Sequence, residues 1–214
     1  MNSYLFLKSL IIGSSIAAPV GPIGVLCIRR TLAHGRISGF VSGLGAATAD
    51  AIYGSIAAFG LTFISMLLIN QGIWLRLVGG IFLLILGFKT FFSNPENNPT
   101  QNNNLQPGNS LISDYVTTLF LTLTNPLTII SFAAIFTGLG LNLDVSRSFL
   151  DALLMVIGIF LGSCTWWFIL SGFTGYFRKK MNTATMVWIN RLSGMIISGF
   201  GIISLVTLII NKNV

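Results

Sequence analysis

The second half of this 214-residue chain repeats the first, and each repeat holds an odd number of apolar segments. Trp74-x5-Gly80-x6-Gly87 has the same internal spacing as Trp188-x5-Gly194-x6-Gly201, and both lie inside long apolar stretches. One segment earlier, Gly45-x3-Ala49-Asp50-x2-Tyr53 matches Gly158-x3-Gly162-Ser163-x2-Trp166. The first segment of each half carries a helix-breaking proline inside its apolar run: Pro19 and Pro22 in one, Asn125-Pro126 in the other. A half that crosses a bilayer three times delivers the next half to the opposite face. The two halves are then related by an in-plane pseudo-two-fold axis, the arrangement of a secondary transporter.

Charged residues make up 8% of the chain, against roughly a quarter in soluble domains. With a mean hydropathy of +0.84, no water-facing shell can be built from it. Apolar stretches of roughly 20 residues are needed to cross the hydrocarbon, and six are found, at about 5–28, 37–61 or beyond, 73–92, 115–139, 149–175 and 187–210. The expected fold is an all-α integral membrane protein of six transmembrane helices, built as two inverted three-helix repeats with broken first and fourth helices. Residues 93–110 are dense in Asn, Pro and Gln and cannot bury enough surface to offset chain entropy. The expected division is a first repeat at 1–92, a polar linker at 93–113 and a second repeat at 114–214. Lys8, a short apolar run and Ser15-x-Ala17 imitate a secretory signal peptide, but the run continues to Cys27 and reads as a span.

The net charge of +7 serves mainly as an orientation signal in a membrane chain. Loops after the odd-numbered segments carry Arg29, Arg30, Arg36, Lys89, Arg178, Lys179 and Lys180, with Arg191 just beyond; the other face has Lys8, Arg76, Arg147 and Lys212. Eight against four places the odd-numbered loops in the cytoplasm and both termini outside. Cys27 and Cys164 form no CxxC pair and read as small helix-packing residues. His34 is the single histidine, which excludes a His-based metal site. The many glycines within the spans supply surfaces for close helix approach.

The chemistry concentrates at the two breaks. Pro19 and Pro22, with Gly21 between them, remove backbone donors and forbid continuous helix. Proline suits the first position of a new helix, so one helix ends near Pro19 and another starts at Pro22. Asn125 can cap and Pro126 can begin a half-helix in the same way. Each restart aims free N–H groups and a positive dipole end at the membrane interior, and two facing ends make a site for a carboxylate. Asp50 is the only acidic residue inside a predicted span. Asp114, Asp144 and Asp151 fall at segment ends or in loops, and Glu96 falls in the linker. A lone carboxyl at membrane depth is costly, so Asp50 is expected to bind a substrate ammonium, exchange a proton, or both. Its counterpart is Ser163, which leaves one titratable site per chain. Tyr53 and Trp166, with Trp167 and Phe132, are further candidates to line a cavity.

The stretch Ala18-Pro19-Val20-Gly21-Pro22, then Arg29-Arg30-x3-His34-Gly35-Arg36-x2-Gly39, the Asp50 run and Thr124-Asn125-Pro126 together resemble the LysE/RhtB family of bacterial amino-acid exporters over nearly the whole chain. Pro19-Val20-Gly21-Pro22 is one residue longer than the Pro-Gly-Pro typical of that family, Ala49 stands where glycine is common, and Leu127 stands where a lysine often follows. The resemblance implies an inner-membrane efflux protein for amino acids or their derivatives, driven by the proton gradient and not an enzyme. The partners implied are a small amino acid, protons and the lipid bilayer, with no cofactor and no nucleic acid, and a homodimer left open. The candidate site read from the residues comprises Pro19, Gly21, Pro22, Asp50, Tyr53, Asn125, Pro126, Ser163 and Trp166, with Asp50 coupling protons and no metal. Two other readings stay open on the residues alone: a cation or metal exporter of the same superfamily, and a membrane assembly or electron-transfer protein.

Overall fold

Two prolines three residues apart end one helix and start another at the head of the chain. The computed structural model describes residues 2–19, 21–59, 72–93, 107–125, 128–129, 131–132, 149–178 and 183–211. Seven helices are delimited among them: α1 Asn2–Ala17, α2 Pro22–His34, α3 Arg36–Ala58, α4 Gly72–Phe91, α5 Pro107–Thr124, α6 Phe149–Phe177 and α7 Thr183–Asn211. Residues 128–129 and 131–132 are helical again beyond Asn125. No strand occurs among the described residues.

α1 stops at Ala17 and α2 resumes at Pro22, the pair bending by 81°. Pro22 occupies the first turn of α2, where its missing N–H would have no helical partner anyway. α2 and α3 are joined by Gly35 alone, at φ 108°, in the region of backbone space that favours glycine. α5 begins at Pro107, inside the stretch that reads as linker in the sequence. Pro107 again suits a first turn, and Leu111, Ile112 and Tyr115 carry that helix into the apolar segment.

Among the described residues, Phe149–Phe177 and Thr183–Thr207 are each long and apolar enough to cross a bilayer, and α1 with α2 qualifies as one bent pair. The outer surface is apolar: Phe88, Phe168, Phe173, Trp188 and Ile203 are all more than half exposed. The interior, by contrast, is rich in small hydroxyl residues such as Ser9, Ser42, Thr118 and Thr122. Each of these four hydroxyls bonds the carbonyl four residues back in its own helix, which satisfies it without a distant partner. An apolar exterior over a hydroxyl-rich interior suits lipid, where every polar group needs an internal partner.

Glycine sets how the helices meet. A Cβ on Gly80 would touch the Gly201 carbonyl and one on Gly201 the Gly80 carbonyl; Gly87 and Gly194 stand in the same reciprocal relation. α4 and α7 therefore cross antiparallel with their backbones nearly in contact. α3 and α6 are antiparallel too, with Asp50 against Ser163 and Gly54 against Ile159. α5 lies parallel to α3, and α1 parallel to α6. In the first of these pairs Gly45 abuts the Tyr115 carbonyl and the Leu119 N–H. In the second, Gly158 abuts the Phe6 carbonyl and the Leu10 N–H, also a carbonyl and an N–H four residues apart.

Candidate functional site

Both helix breaks open on one cavity. At the first, the Gly21 N–H donates to the Pro19 carbonyl at 2.9 Å, and the Gly21 carbonyl accepts the first helical bond of α2 from Val25 at 3.1 Å. At the second, α5 ends at Thr124 and the Asn125 N–H donates to the Thr122 carbonyl at 3.3 Å. The Asn125 carbonyl then accepts from Thr128 at 3.1 Å and Ile129 at 3.3 Å, which starts a new helical turn. Pro126 lies outside the described residues.

The cavity holds about 60 Å³, enough for a small cluster of waters or a compact ligand. Pro19, Gly21 and Pro22 line it from the first break, Asn125, Thr128 and Ser131 from the second, and Asp50 and Ala46 from α3. Asp50 is the only ionisable group among its described lining residues, so no side-chain cation faces it. Asp50 is 3% exposed, and its Oδ2 accepts a hydrogen bond from Ser163 Oγ at 2.7 Å. That same hydroxyl accepts from Trp167 Nε1 at 3.1 Å. A chain of donors thus runs from indole to hydroxyl to carboxyl and fixes which way Asp50 points.

The residues singled out from sequence divide into those that meet here and those that do not. Pro19, Gly21, Pro22, Asp50 and Asn125 share the cavity wall, and Ser163 reaches it through Asp50. Tyr53 is not among the lining residues. Its hydroxyl donates at 2.6 Å to the Leu123 carbonyl in the last turn of α5, and its ring packs on Phe132. Trp166 is not among them either: it packs half-buried against the hydrophobic core, and Trp167 forms the wall. Successive residues on a helix point about 100° apart, and α6 is turned so that Trp167 faces the cavity and Trp166 does not.

Two residues that look ordinary in the sequence have a different role in the fold. Arg30 reads there as a loop cation and Asp114 as a solvated helix end, yet both are buried in a salt bridge, Arg30 Nε to Asp114 Oδ1, at 3.0 Å. Asp114 is therefore a second buried acid, and Asp50 is not alone in the interior. A clue was available, since Arg29 and Arg30 are adjacent and cannot both face one loop surface. Arg29 turns the other way, to Asn190 Oδ1 at 2.9 Å and Ser93 Oγ at 3.1 Å. Among the described residues no three of His, Cys, Asp and Glu gather as metal ligands.

A family model described as LysE type translocator matches residues 14–207, which include both breaks, Asp50, Ser163 and the glycines of the α4–α7 crossing. The chain belongs to the LysE family. It is 25% identical over 198 residues, covering 92% of this chain and 93% of the relative, to a Bacillus subtilis (strain 168) protein named "Putative amino acid efflux protein YcgF". No solved structure gives a significant match. As a LysE-family translocator the chain is a membrane transport protein, and its apolar exterior and membrane-length helices agree with that assignment.

Proposed function

We propose that this LysE-family chain exports amino acids or amino-acid derivatives across the bacterial inner membrane by proton-coupled alternating access. The observation that carries the reading is that two helix breaks, one from each half of the chain, meet Asp50 at one cavity. A zwitterion needs an anion for its ammonium and donors for its carboxylate. Asp50 supplies the first, and with no cation among the described wall residues the N–H groups in the first turn of α2, at Ile23 and Gly24, supply the second. Asp50 also carries the proton exchanged during the cycle.

An inverted repeat is supported by the antiparallel course of the equivalent helices, α3 with α6 and α4 with α7. It is supported again by the contacts that map onto one another when the halves are exchanged: Gly80 with Gly201 becomes Gly194 with Gly87, and the Gly45 contact with α5 becomes the Gly158 contact with α1. On this reading the chain spans six times, with repeats at 1–92 and 114–214. The eight-to-four distribution of cations supports both termini outside. Rocking one half against the other about the shared cavity would open it alternately to each side. A relative named for amino acid efflux supports the substrate class.

The test is accumulation of a radiolabelled amino-acid panel in inside-out vesicles, with and without an imposed pH gradient. Gradient-driven accumulation of at least one amino acid is expected. Vesicles that take up none of the panel above the level of protein-free controls would overturn the reading.

A further inference from the structure

Three arginines tie the C-terminal end of α2 to the second half of the chain. Arg178 donates from Nε to the Leu32 carbonyl and from Nη2 to the Ala33 carbonyl, both at 3.3 Å, and so occupies the negative end of α2. Arg29 reaches Asn190 of α7. Arg30 is the most deeply held: besides its salt bridge to Asp114, its Nη1 donates to Ser42 Oγ at 3.0 Å, the Asp114 carbonyl at 2.9 Å and Thr118 Oγ1 at 2.9 Å. Ser38 Oγ donates to the other carboxylate oxygen of Asp114. The cluster joins α2, α3 and α5.

Its position relative to the cavity gives it a use. Three helices run from the cavity wall to the cluster: Gly24 to Arg30 on α2, Ala46 to Ser42 on α3, and Thr122 to Thr118 on α5. Four residues of helix are about 6 Å and six about 9 Å, so the cluster lies one to two turns beyond the wall. Between them sit Leu26 and Cys27, both with no exposed surface. Building on the transport reading above, we propose that the Arg30–Asp114 clasp is the gate closing the site toward the end where α2 meets α3, and that it parts each time the site opens to that side. A buried ion pair suits a gate because it holds firmly when paired and each partner can be rehydrated when it opens.

Cys27 is a native reporter, three residues from the cavity-lining Gly24 and three from Arg30, on the same face of α2. In a Cys164→Ser background it is the only thiol. The experiment measures its labelling by a membrane-impermeant methanethiosulfonate applied separately to each side of vesicles carrying the full chain. The expected result is slow labelling in the parent and an increase of about tenfold in Asp114→Asn, the equivalent of 1.4 kcal/mol in the opening equilibrium, from one side only. Ser38→Ala, which deletes one hydroxyl and leaves the ion pair in place, is expected to give a smaller increase from the same side. It decides the matter alone if Asp114→Asn does not fold. Unchanged labelling in the folded variants, or equal acceleration from both sides, would overturn the proposal. Labelling needs no substrate, so a gate that responds in a chain that exports no amino acid refutes the transport reading only, and a chain that exports with labelling unchanged refutes the gate only.

Discussion

Ser163 Oγ donates a 2.7 Å hydrogen bond to Asp50 Oδ2, and these two residues hold the same position in the matched runs Gly45-x3-Ala49-Asp50-x2-Tyr53 and Gly158-x3-Gly162-Ser163-x2-Trp166. Under the proposed inverted repeat, a residue that touches its own counterpart lies where exchanging the halves leaves the contact in place. Had both been carboxyls, like charges would face one another in a buried site, which strongly favours protonation of one of them. Serine in the second half removes that conflict and supplies a donor in its stead.

Asp50→Asn is expected to abolish gradient-driven efflux and to preserve exchange of labelled for unlabelled amino acid. The amide keeps the shape and can still accept from Ser163, but it no longer takes up or releases a proton. Efflux and counterflow measured in the same vesicles separate the two activities. A variant that exports at the parental rate with an unchanged pH profile would show that Asp50 is structural.

Replacing Gly201 by Val puts a side chain into the Gly80 carbonyl and the backbone of Leu84. Overpacking of this kind costs about 1–3 kcal/mol, visible as a lower melting temperature in detergent. Gly199 is two residues away with nothing within reach of an added Cβ, so Gly199→Ala is the control and should leave the melting temperature nearly unchanged. Equal effects at the two positions would mean that close α4–α7 approach is not what the glycines provide.

Loss of either member of the Arg30–Asp114 pair strands the other in a buried site, and Arg30→Met or Asp114→Leu alone should cost about 3–5 kcal/mol. The double variant is expected to cost less than either single one, because no charge is then left unpaired. Thermal unfolding of the four proteins tests this ordering, and additive losses would contradict it.

The distribution of cations predicts a reporter at Ser110 on the cytoplasmic side and one at Val214 outside. Impermeant labelling of single cysteines introduced at the two positions, in intact cells, reads this directly. Both positions on the same side would remove the odd-numbered repeat and with it the inverted relation of the halves.

What the sequence determined by itself follows from rules that act along the chain. Proline denies a helix its donor wherever the chain folds, so the interruption between Ala17 and Pro22 was legible from Pro19 and Pro22, and the pause at Asn125 from Asn125-Pro126. The matched glycine spacings and the odd carboxyl at Asp50 were legible for the same reason. Only the tertiary structure decided who faces whom. Arg30 meets an acid 84 residues away and Asp50 a hydroxyl 113 residues away. Nothing local to Asp114 distinguishes a solvated helix end from a buried partner. Trp167 lines the cavity in place of Trp166, and Tyr53 caps a carbonyl of α5, because the rotation of α6 and α3 about their axes is set by where glycine lets backbones touch. That rotation is a property of helix packing across the whole molecule, which no stretch of the chain carries alone.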